Sequence, residues 1–221
     1  MNLLALDTST EACSAALLRE DGELFAQFDL APRQHNRLLP QMMDRVLSDA
    51  AVAKSDITHC AFANGPGAFT GIRIAAAQAQ GIGMALGIPL ITVSTLAVMA
   101  QDSLARVDAN KVLVALDARM GEIYWAVYQR GDNGLAALCG EERLSALDSV
   151  SIDDDIDFGA GHGWLDGLRE RVEFPVDAEL LPSAESLLPL ARDAAQSGRM
   201  VAADQAGINY LRMQVAVKSA G

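Results

Sequence analysis

The pattern of hydrophobic and polar positions in the first half of the chain predicts strands that alternate with helices. Short apolar runs bounded by turn residues indicate five strands. Longer stretches with apolar positions three and four residues apart indicate three helices. The predicted strands cover residues 3–7, 13–18, 24–28, 59–63 and 90–93, and the predicted helices cover residues 36–51, 71–86 and 95–104. This alternation is typical of an α/β fold.

The second half of the chain begins by repeating the first. Leu-Leu-Ala-Leu-Asp at residues 3–7 reappears as Leu-Val-Ala-Leu-Asp at residues 113–117. In both halves two further apolar runs follow, separated by a turn, and in the second half these predicted strands cover residues 123–128 and 135–138. The same order at the same spacing predicts two related lobes with a cleft between them, residues 1–105 and 106–221. The second lobe looks reduced, because its clearest later element is one amphipathic segment at residues 186–195.

Two helices of the first half show more apolar surface than one core needs. On the helix predicted for residues 36–51 the apolar positions fill nearly half of the circumference, and on the next helix small residues recur four apart. One edge of each stripe can pack in the chain's own core while the other edge contacts a partner helix. Periodicity alone does not tell which edge faces outward. The predicted partner-binding residues are Leu38, Leu39, Met42, Met43, Val46, Leu47, Ile72, Ala75, Ala76, Ala79 and Gly83.

Composition and charge narrow the classes of function. The 221 residues are 51% hydrophobic and 21% charged, which is enough to form ordinary globular cores. Against 17 Lys and Arg stand 29 Asp and Glu, so the formal charge is −12. This balance, with no cluster of basic residues, argues against a module that binds tRNA directly. No stretch approaches the roughly 20 apolar residues of a membrane span, so we expect a cytoplasmic protein without membrane contact.

A possible nucleotide site lies at the two repeated aspartates. In duplicated nucleotide-binding folds such a carboxylate orients a hydrated Mg²⁺, while hydroxyls and backbone amides of the following loop face the phosphates. This pattern would fit an actin-like ATPase or a sugar kinase. The alternative is that each aspartate only caps a tight turn after a strand. The residues concerned are Asp7, Thr8, Ser9, Thr10 and Asp117.

The sequence contains few other motifs that are typical of catalytic or metal sites. The histidines His35, His59 and His162 show no spacing typical of a metal site, and no serine lies in a G-x-S-x-G motif. The glycine-rich segment at residues 64–73 lacks the lysine of a Walker A loop. It could bind an anion at the start of a helix, but a rigid turn is favoured for residues 65–67, and the role of Arg73 stays open. The cysteines form no C-x-x-C pair. We therefore predict no catalytic residue, no metal and no cofactor.

Several segments in matching order give the whole chain a family resemblance. It resembles the TsaB family, also called YeaZ; one departure is Ile208, where the family usually has proline. The segments are Leu-Ala-Leu-Asp-Thr-Ser-Thr at 4–10, Asn-Gly-Pro-Gly-Ala-Phe-Thr-Gly-Ile-Arg at 64–73, Pro-Leu-Ile-Thr-Val-Ser-Thr-Leu at 89–96, Leu-Asp-Ala-Arg at 116–119 with Glu-Ile-Tyr at 122–124, and Tyr210-Leu211-Arg212 with Val215, Ala216 and Lys218.

The resemblance implies a duplicated actin/Hsp70/sugar-kinase-like (RNase H-like) fold of mixed sheets flanked by helices. It implies a role in forming N6-threonylcarbamoyladenosine at position 37 of tRNAs that read codons beginning with adenine. In this pathway the family supplies a non-catalytic partner of the transferase TsaD, which works with the ATPase TsaE, so tRNA is contacted only through the complex. The partner-binding helices would contact TsaD, or a second copy when TsaD is absent.

The resemblance also argues against the peptidase activity for which some relatives were once named. Where the catalytic paralog has two metal-binding histidines, this chain has Thr95 and Met99. A hydroxyl and a thioether do not replace a pair of imidazoles as ligands of Fe²⁺ or Zn²⁺.

Overall fold

Two five-stranded mixed sheets form the framework of the protein. The computed structural model describes residues 1–212, without the side chain of Asp166, so Val215, Ala216 and Lys218 lie outside the described residues. The first sheet has the order β3-β2-β1-β4-β5. Its strands are β1 (Leu3–Asp7), β2 (Ala12–Leu18), β3 (Leu24–Leu30), β4 (His59–Ala63) and β5 (Leu90–Val93).

The second sheet repeats this topology. Its order is β8-β7-β6-β9-β10, and in both sheets three antiparallel strands are followed by two strands that pair in parallel. The duplicated α/β fold expected from the sequence repeat is therefore confirmed. The strands are β6 (Lys111–Arg119), β7 (Glu122–Arg130), β8 (Ala136–Ala146), β9 (Phe158–Ala160) and β10 (Val176–Asp177).

Five helices connect and cover the strands. The first three begin and end within two residues of their predicted positions, and the last includes the predicted amphipathic segment. Ser94 and Ser183 cap the starts of the third and fifth helices, because each side chain accepts a hydrogen bond from a backbone N–H of the first turn. The helices are α1 (His35–Asp49), α2 (Phe69–Leu86), α3 (Thr95–Arg106), α4 (Asp166–Arg169) and α5 (Ala184–Gln196).

Strand β8 is longer than the sequence pattern predicted. The prediction covered only residues 135–138, whereas the strand continues to Ala146. Its second part contains Glu141, Glu142 and Arg143 and lies at the edge of the sheet, so it lacks the apolar run that marks a buried strand. Backbone pairing with β7 holds it in place, with a bulge opposite Trp125 and Val127.

The two halves of the chain exchange helices. α1 and α2 cover one face of the first sheet, and α5, from the second half, packs on the other face against β1, β2, β4 and β5. α3, from the first half, packs on the second sheet. Packing therefore crosses the predicted division after residue 105, which stays a prediction based on the sequence repeat. Within residues 1–212, no helix combines the length and the apolar character needed to cross a bilayer.

Candidate functional site

Most of the predicted partner-binding side chains are buried in the chain's own core. Leu38 and Met42 are half-buried, and the other members are at most 9% exposed. A Cβ added at Gly83 would lie 2.8 Å from the side chain of Ala203, so the small residues let the sheet and its neighbours approach α2 closely. These side chains therefore serve mainly the chain's own core, and their contact with a partner stays a prediction. The buried residues are Leu39, Met43, Val46, Leu47, Ile72, Ala75, Ala76, Ala79 and Gly83.

A different side of α2 faces outward. The only charged side chain of this 18-residue helix is Arg73. At the two ends of the exposed side Phe69 is 48% exposed and Met84 is 63% exposed, while small residues lie between them. A Cβ added at Gly81 would meet no atom within 4 Å. We call this side the α2 outer stripe: Phe69, Arg73, Ala77, Gly81, Met84 and Ala85.

An apolar groove continues the α2 outer stripe toward α1. Its volume is about 430 Å³. Met43 and Leu47 contribute the wall from α1, and Ile82 and Leu86 contribute to the wall from α2. Lys54 and Gln78 are the polar side chains at its margin. A solvent-facing groove of this composition is typical of a surface that another apolar element covers.

The first turn of α2 is held by an aromatic and cationic cluster. The Arg73 guanidinium carbon lies 3.6 Å from the centre of the Phe69 ring. Its Nε donates a hydrogen bond of 2.9 Å to the hydroxyl of Tyr210. Sequence reasoning left the role of Arg73 open, and the spacing gave no sign of its contact with a residue so far along the chain.

The predicted phosphate-facing loop is covered by the start of α2. The hydroxyl of Thr8 donates to the carbonyl of Gly71 at 2.7 Å, and the Ala68 N–H donates to the carbonyl of Ser9 at 2.7 Å. A Cβ at Gly71 would lie 1.9 Å from the Thr8 oxygen, and one at Gly67 would lie 2.3 Å from the Ser9 oxygen. Glycine is therefore required at both positions for this close approach.

The carboxyl group of Asp7 is turned into this covered loop. One oxygen accepts hydrogen bonds from the N–H and the hydroxyl of Ser9, both at 2.7 Å, and the other is buried without a hydrogen-bond partner. Burial raises the pKa of Asp7 to about 6, although the bonds from Ser9 act to lower it.

Asp117 has a more open environment. It lines a cavity of about 560 Å³ between the lobes, together with Ser9 and Thr10. Its carboxylate accepts from the backbone N–H of Arg119 at 2.7 Å and pairs with the Arg119 guanidinium at 2.9 Å. The two repeated aspartates therefore have different environments, because Asp7 is enclosed by its loop while Asp117 forms an ion pair at the cavity, and their role in nucleotide binding stays a prediction.

The two positions that the resemblance compares with metal-binding histidines are enclosed in the protein. Thr95 and Met99 are both 0% exposed. Among residues 1–212, no group of three or more His, Cys, Asp or Glu side chains is arranged to hold a metal ion.

Glu142 is a structural centre that sequence reasoning missed. Its carboxylate accepts hydrogen bonds from the Tyr128 hydroxyl at 2.7 Å, from the Asn209 side chain at 2.9 Å and from the Ser94 hydroxyl. Burial and the neighbouring carboxylate raise the pKa of Tyr128. These bonds join the second sheet to the start of α3 and to the C-terminal segment beside α2. Because the partners are far apart in sequence, no local signal predicts them.

Comparison with known proteins places these features in a family. Residues 29–152 match the family described as TsaD: tRNA N6-adenosine threonylcarbamoyltransferase. The chain is 42% identical to the tRNA threonylcarbamoyladenosine biosynthesis protein TsaB of Escherichia coli, over 99% of this chain and 97% of that protein. It is 33% identical to the Haemophilus influenzae protein of the same name, over 99% and 96% of the two chains.

Solved structures agree with this comparison. The structure of YeaZ from Pseudomonas aeruginosa is similar with a TM-score of 0.89 and 45% identity, covering 95% of this chain and 99% of that one. A second structure, described as an uncharacterized protein with similarity to peptidase YeaZ from the same organism, has a TM-score of 0.90 and 44% identity, covering 96% and 99%.

Proposed function

Because the chain belongs to the TsaB family, also called YeaZ, and takes part in tRNA threonylcarbamoyladenosine biosynthesis, we propose that it is a non-catalytic subunit in this pathway. It binds the transferase TsaD in the cytoplasm and supports N6-threonylcarbamoyladenosine formation at position 37 of tRNAs that read codons beginning with adenine. The ATPase TsaE acts on the same complex. The tRNA is contacted through the complex rather than by this chain alone.

The observation that carries this proposal is the largely apolar exterior of α2, on which Arg73 is the only charged side chain. Phe69 and Met84 stand at the two ends of the α2 outer stripe, and Ala77, Gly81 and Ala85 leave a shallow region between them. A second helix can approach a backbone closely where side chains are this small. Burial of the two large side chains would then supply about 25 cal/mol for each Å² removed from water.

The position of α2 is fixed before any partner arrives. Its first turn is tied to the β1–β2 loop through the contacts of Gly67 and Gly71, and the ring of Phe69 is held by Arg73. A preordered helix loses little conformational entropy on binding. The same α2 outer stripe would be covered by a second copy of the chain when TsaD is absent, so homodimer and heterodimer compete for one surface.

Two features support a non-catalytic role. Thr95 and Met99 provide no metal ligands of the kind that the paralog uses, and both are buried. Asp7 is enclosed by its own loop. Catalysis is therefore assigned to the partner, and this chain contributes a rigid binding surface.

A second candidate function is nucleotide binding by an actin-like ATPase or kinase. The cavity of about 560 Å³ between the lobes, with Ser9, Thr10 and Asp117 in its walls, favours it. Calorimetric titration of the isolated chain with Mg-ATP separates the two functions. Tight binding with turnover supports the enzyme, whereas the absence of binding supports the subunit.

The decisive experiment changes the α2 outer stripe without touching the core. Ala77→Glu and Ala85→Glu place carboxylates on the exposed side of α2, and Ala105→Glu makes the same change at an exposed position of α3. We expect both α2 variants to remain folded but to lose the homodimer and the complex with TsaD, measured as mass in solution. They should also lose modified tRNA in a reaction reconstituted with TsaD and TsaE.

The Ala105→Glu variant should keep both assemblies and full activity. If the α2 variants still assemble with TsaD as the unchanged chain does, the proposed surface is wrong. If they lose TsaD binding while modification continues at the normal rate, the proposed role of the subunit is wrong.

A further inference from the structure

Strand β3 leaves an apolar face uncovered. Leu24, Phe28 and Leu30 alternate along it and are 41%, 51% and 59% exposed. Their cross-strand neighbours on β2 are mostly buried, because α5 packs over β2 and the Ala184 N–H donates to the Ser14 hydroxyl at 2.9 Å. The apolar face of the first sheet therefore continues beyond the cover that α5 provides.

The backbone edge of β3 is also available. β3 is the outermost strand of the first sheet and pairs with β2 alone among the described strands. Native proteins usually protect such an edge with lysine, proline or a bulge. β3 reads Leu-Phe-Ala-Gln-Phe-Asp-Leu, and its seven residues pair with β2 in one unbroken register. This edge can accept the backbone of an additional strand.

A cavity lies beside the apolar face of β3. Its volume is about 690 Å³, and its apolar lining includes Phe28 and Leu30 of β3 together with Leu180 and Leu181. A space of this size takes several apolar side chains. We call the edge of β3 together with this cavity the β3 groove.

The charges around the β3 groove have mostly one sign. Besides His162, the basic side chain among its lining residues is Arg106, and its Nε lies 2.9 Å from the carboxylate of Asp102. Four carboxylates line the same cavity and give its rim a negative potential. The acidic residues are Glu11, Asp177, Glu179 and Glu185.

We propose that the β3 groove binds an extended, basic segment of another protein. The backbone of this segment adds to the free edge of β3, its large apolar side chains enter the cavity beside Phe28, and its lysines or arginines face Glu179 and Glu185. Backbone hydrogen bonds supply affinity in such strand addition, and the cavity and the rim supply specificity.

The charge balance decides against a second copy of this chain as the occupant. The chain carries −12, and a symmetric contact would bring two acidic rims together. The β3 groove also lies on the face of the first sheet that α5 covers, whereas α1 and α2 lie on the other face. A protein bound at β3 can therefore be present together with one bound at the α2 outer stripe. This second surface goes beyond the proposed function.

The test selects ligands without assuming their identity. Random dodecapeptides displayed on phage are selected against the full chain, and the enriched peptides are synthesised with a fluorescent label. We expect enrichment of sequences that combine lysine or arginine with large apolar residues. Phe28→Ser, and separately the double change Glu179→Lys with Glu185→Lys, should each weaken binding by about tenfold or more. Hydrogen exchange should slow at the β3 amides when a peptide is bound.

The matched control is Ala85→Glu on the α2 outer stripe, which should leave peptide affinity unchanged. The inference is overturned if no enriched peptide depends on Phe28, or if the enriched peptides are acidic or neutral. It is also overturned if the unliganded chain dimerises and Phe28→Ser abolishes that dimer, because the face then belongs to a second copy.

Discussion

Asp7→Asn should stabilise the protein more at neutral pH than at mildly acidic pH. Burial raises the pKa of the Asp7 carboxyl from the usual 3.8 to about 6. Between these two values the folded state binds more protons than the unfolded state, so the contribution of Asp7 to the free energy of unfolding falls as the pH rises. Above about pH 6 the folded protein holds a buried carboxylate at a cost.

The magnitude follows from the two pKa values. Their difference corresponds to about 3 kcal/mol in total, at 1.36 kcal/mol for each pKa unit. Roughly 1.4 kcal/mol of this is lost between pH 5 and pH 7.5. An asparagine at this position keeps an acceptor for the N–H and hydroxyl of Ser9 and cannot ionise. Its NH₂ group costs about 1–3 kcal/mol if it finds no acceptor, but this cost is the same at both pH values.

The assay is urea unfolding followed by far-ultraviolet circular dichroism at pH 5 and pH 7.5. Relative to the unchanged chain, Asp7→Asn should gain about 1.4 kcal/mol between the lower and the higher pH. Asp132→Asn removes an exposed carboxylate in the β7–β8 turn and serves as the matched control for the loss of one charge. The argument from burial is refuted if the variant and the unchanged chain differ in free energy of unfolding by the same amount at both pH values. It is also refuted if the variant gains more at pH 5 than at pH 7.5.

Three further predictions concern packing, a buried hydrogen-bond centre and thiol reactivity. Gly71→Ala should lower the free energy of unfolding by about 3 kcal/mol or more, because its Cβ would lie 1.9 Å from a backbone oxygen. Gly81→Ala places its Cβ in open space, so this control should be neutral or stabilise the protein by up to about 1 kcal/mol. Both are measured by urea unfolding. Glu142→Ala should cost about 2–4 kcal/mol and speed amide exchange in residues 206–210, because three buried or half-buried donors lose their acceptor. Burial raises the pKa of Cys13 and of Cys60 to about 12, so both thiols should resist a disulfide reagent in the folded chain and react after urea is added.

The order of strands and helices was predictable because the same sequence pattern occurs in both halves of the chain. Residues 3–7 and 113–117 begin equivalent sheets, and periodicity located the helices to within two residues. The outward side of α2 was not predictable, because this helix has small or apolar residues almost all round. Only the position of the sheet decides that Ala79 faces inward and Gly81 faces solvent.

The candidate site, too, was only partly predictable from the sequence. A carboxylate after a strand is typical of a phosphate site, and nothing local in the sequence showed that the turn at Gly67 and Gly71 would cover Asp7. Glu142 was missed because its partners, Ser94 and Asn209, come from distant segments. Contacts of this kind depend on how the two lobes pack against each other. The packing of the lobes cannot be predicted from local patterns in a single sequence.

The exchange of helices between the two halves has a consequence for synthesis on the ribosome. When the first sheet leaves the exit tunnel, the face that contains Leu3 and Ala5 has no cover, because α5 is translated about 90 residues after β5. The nascent amino-terminal half therefore presents a broad apolar surface until α5 has been made. The first sheet is for this reason not an independent folding unit, because its core is completed only when α5 has left the ribosome.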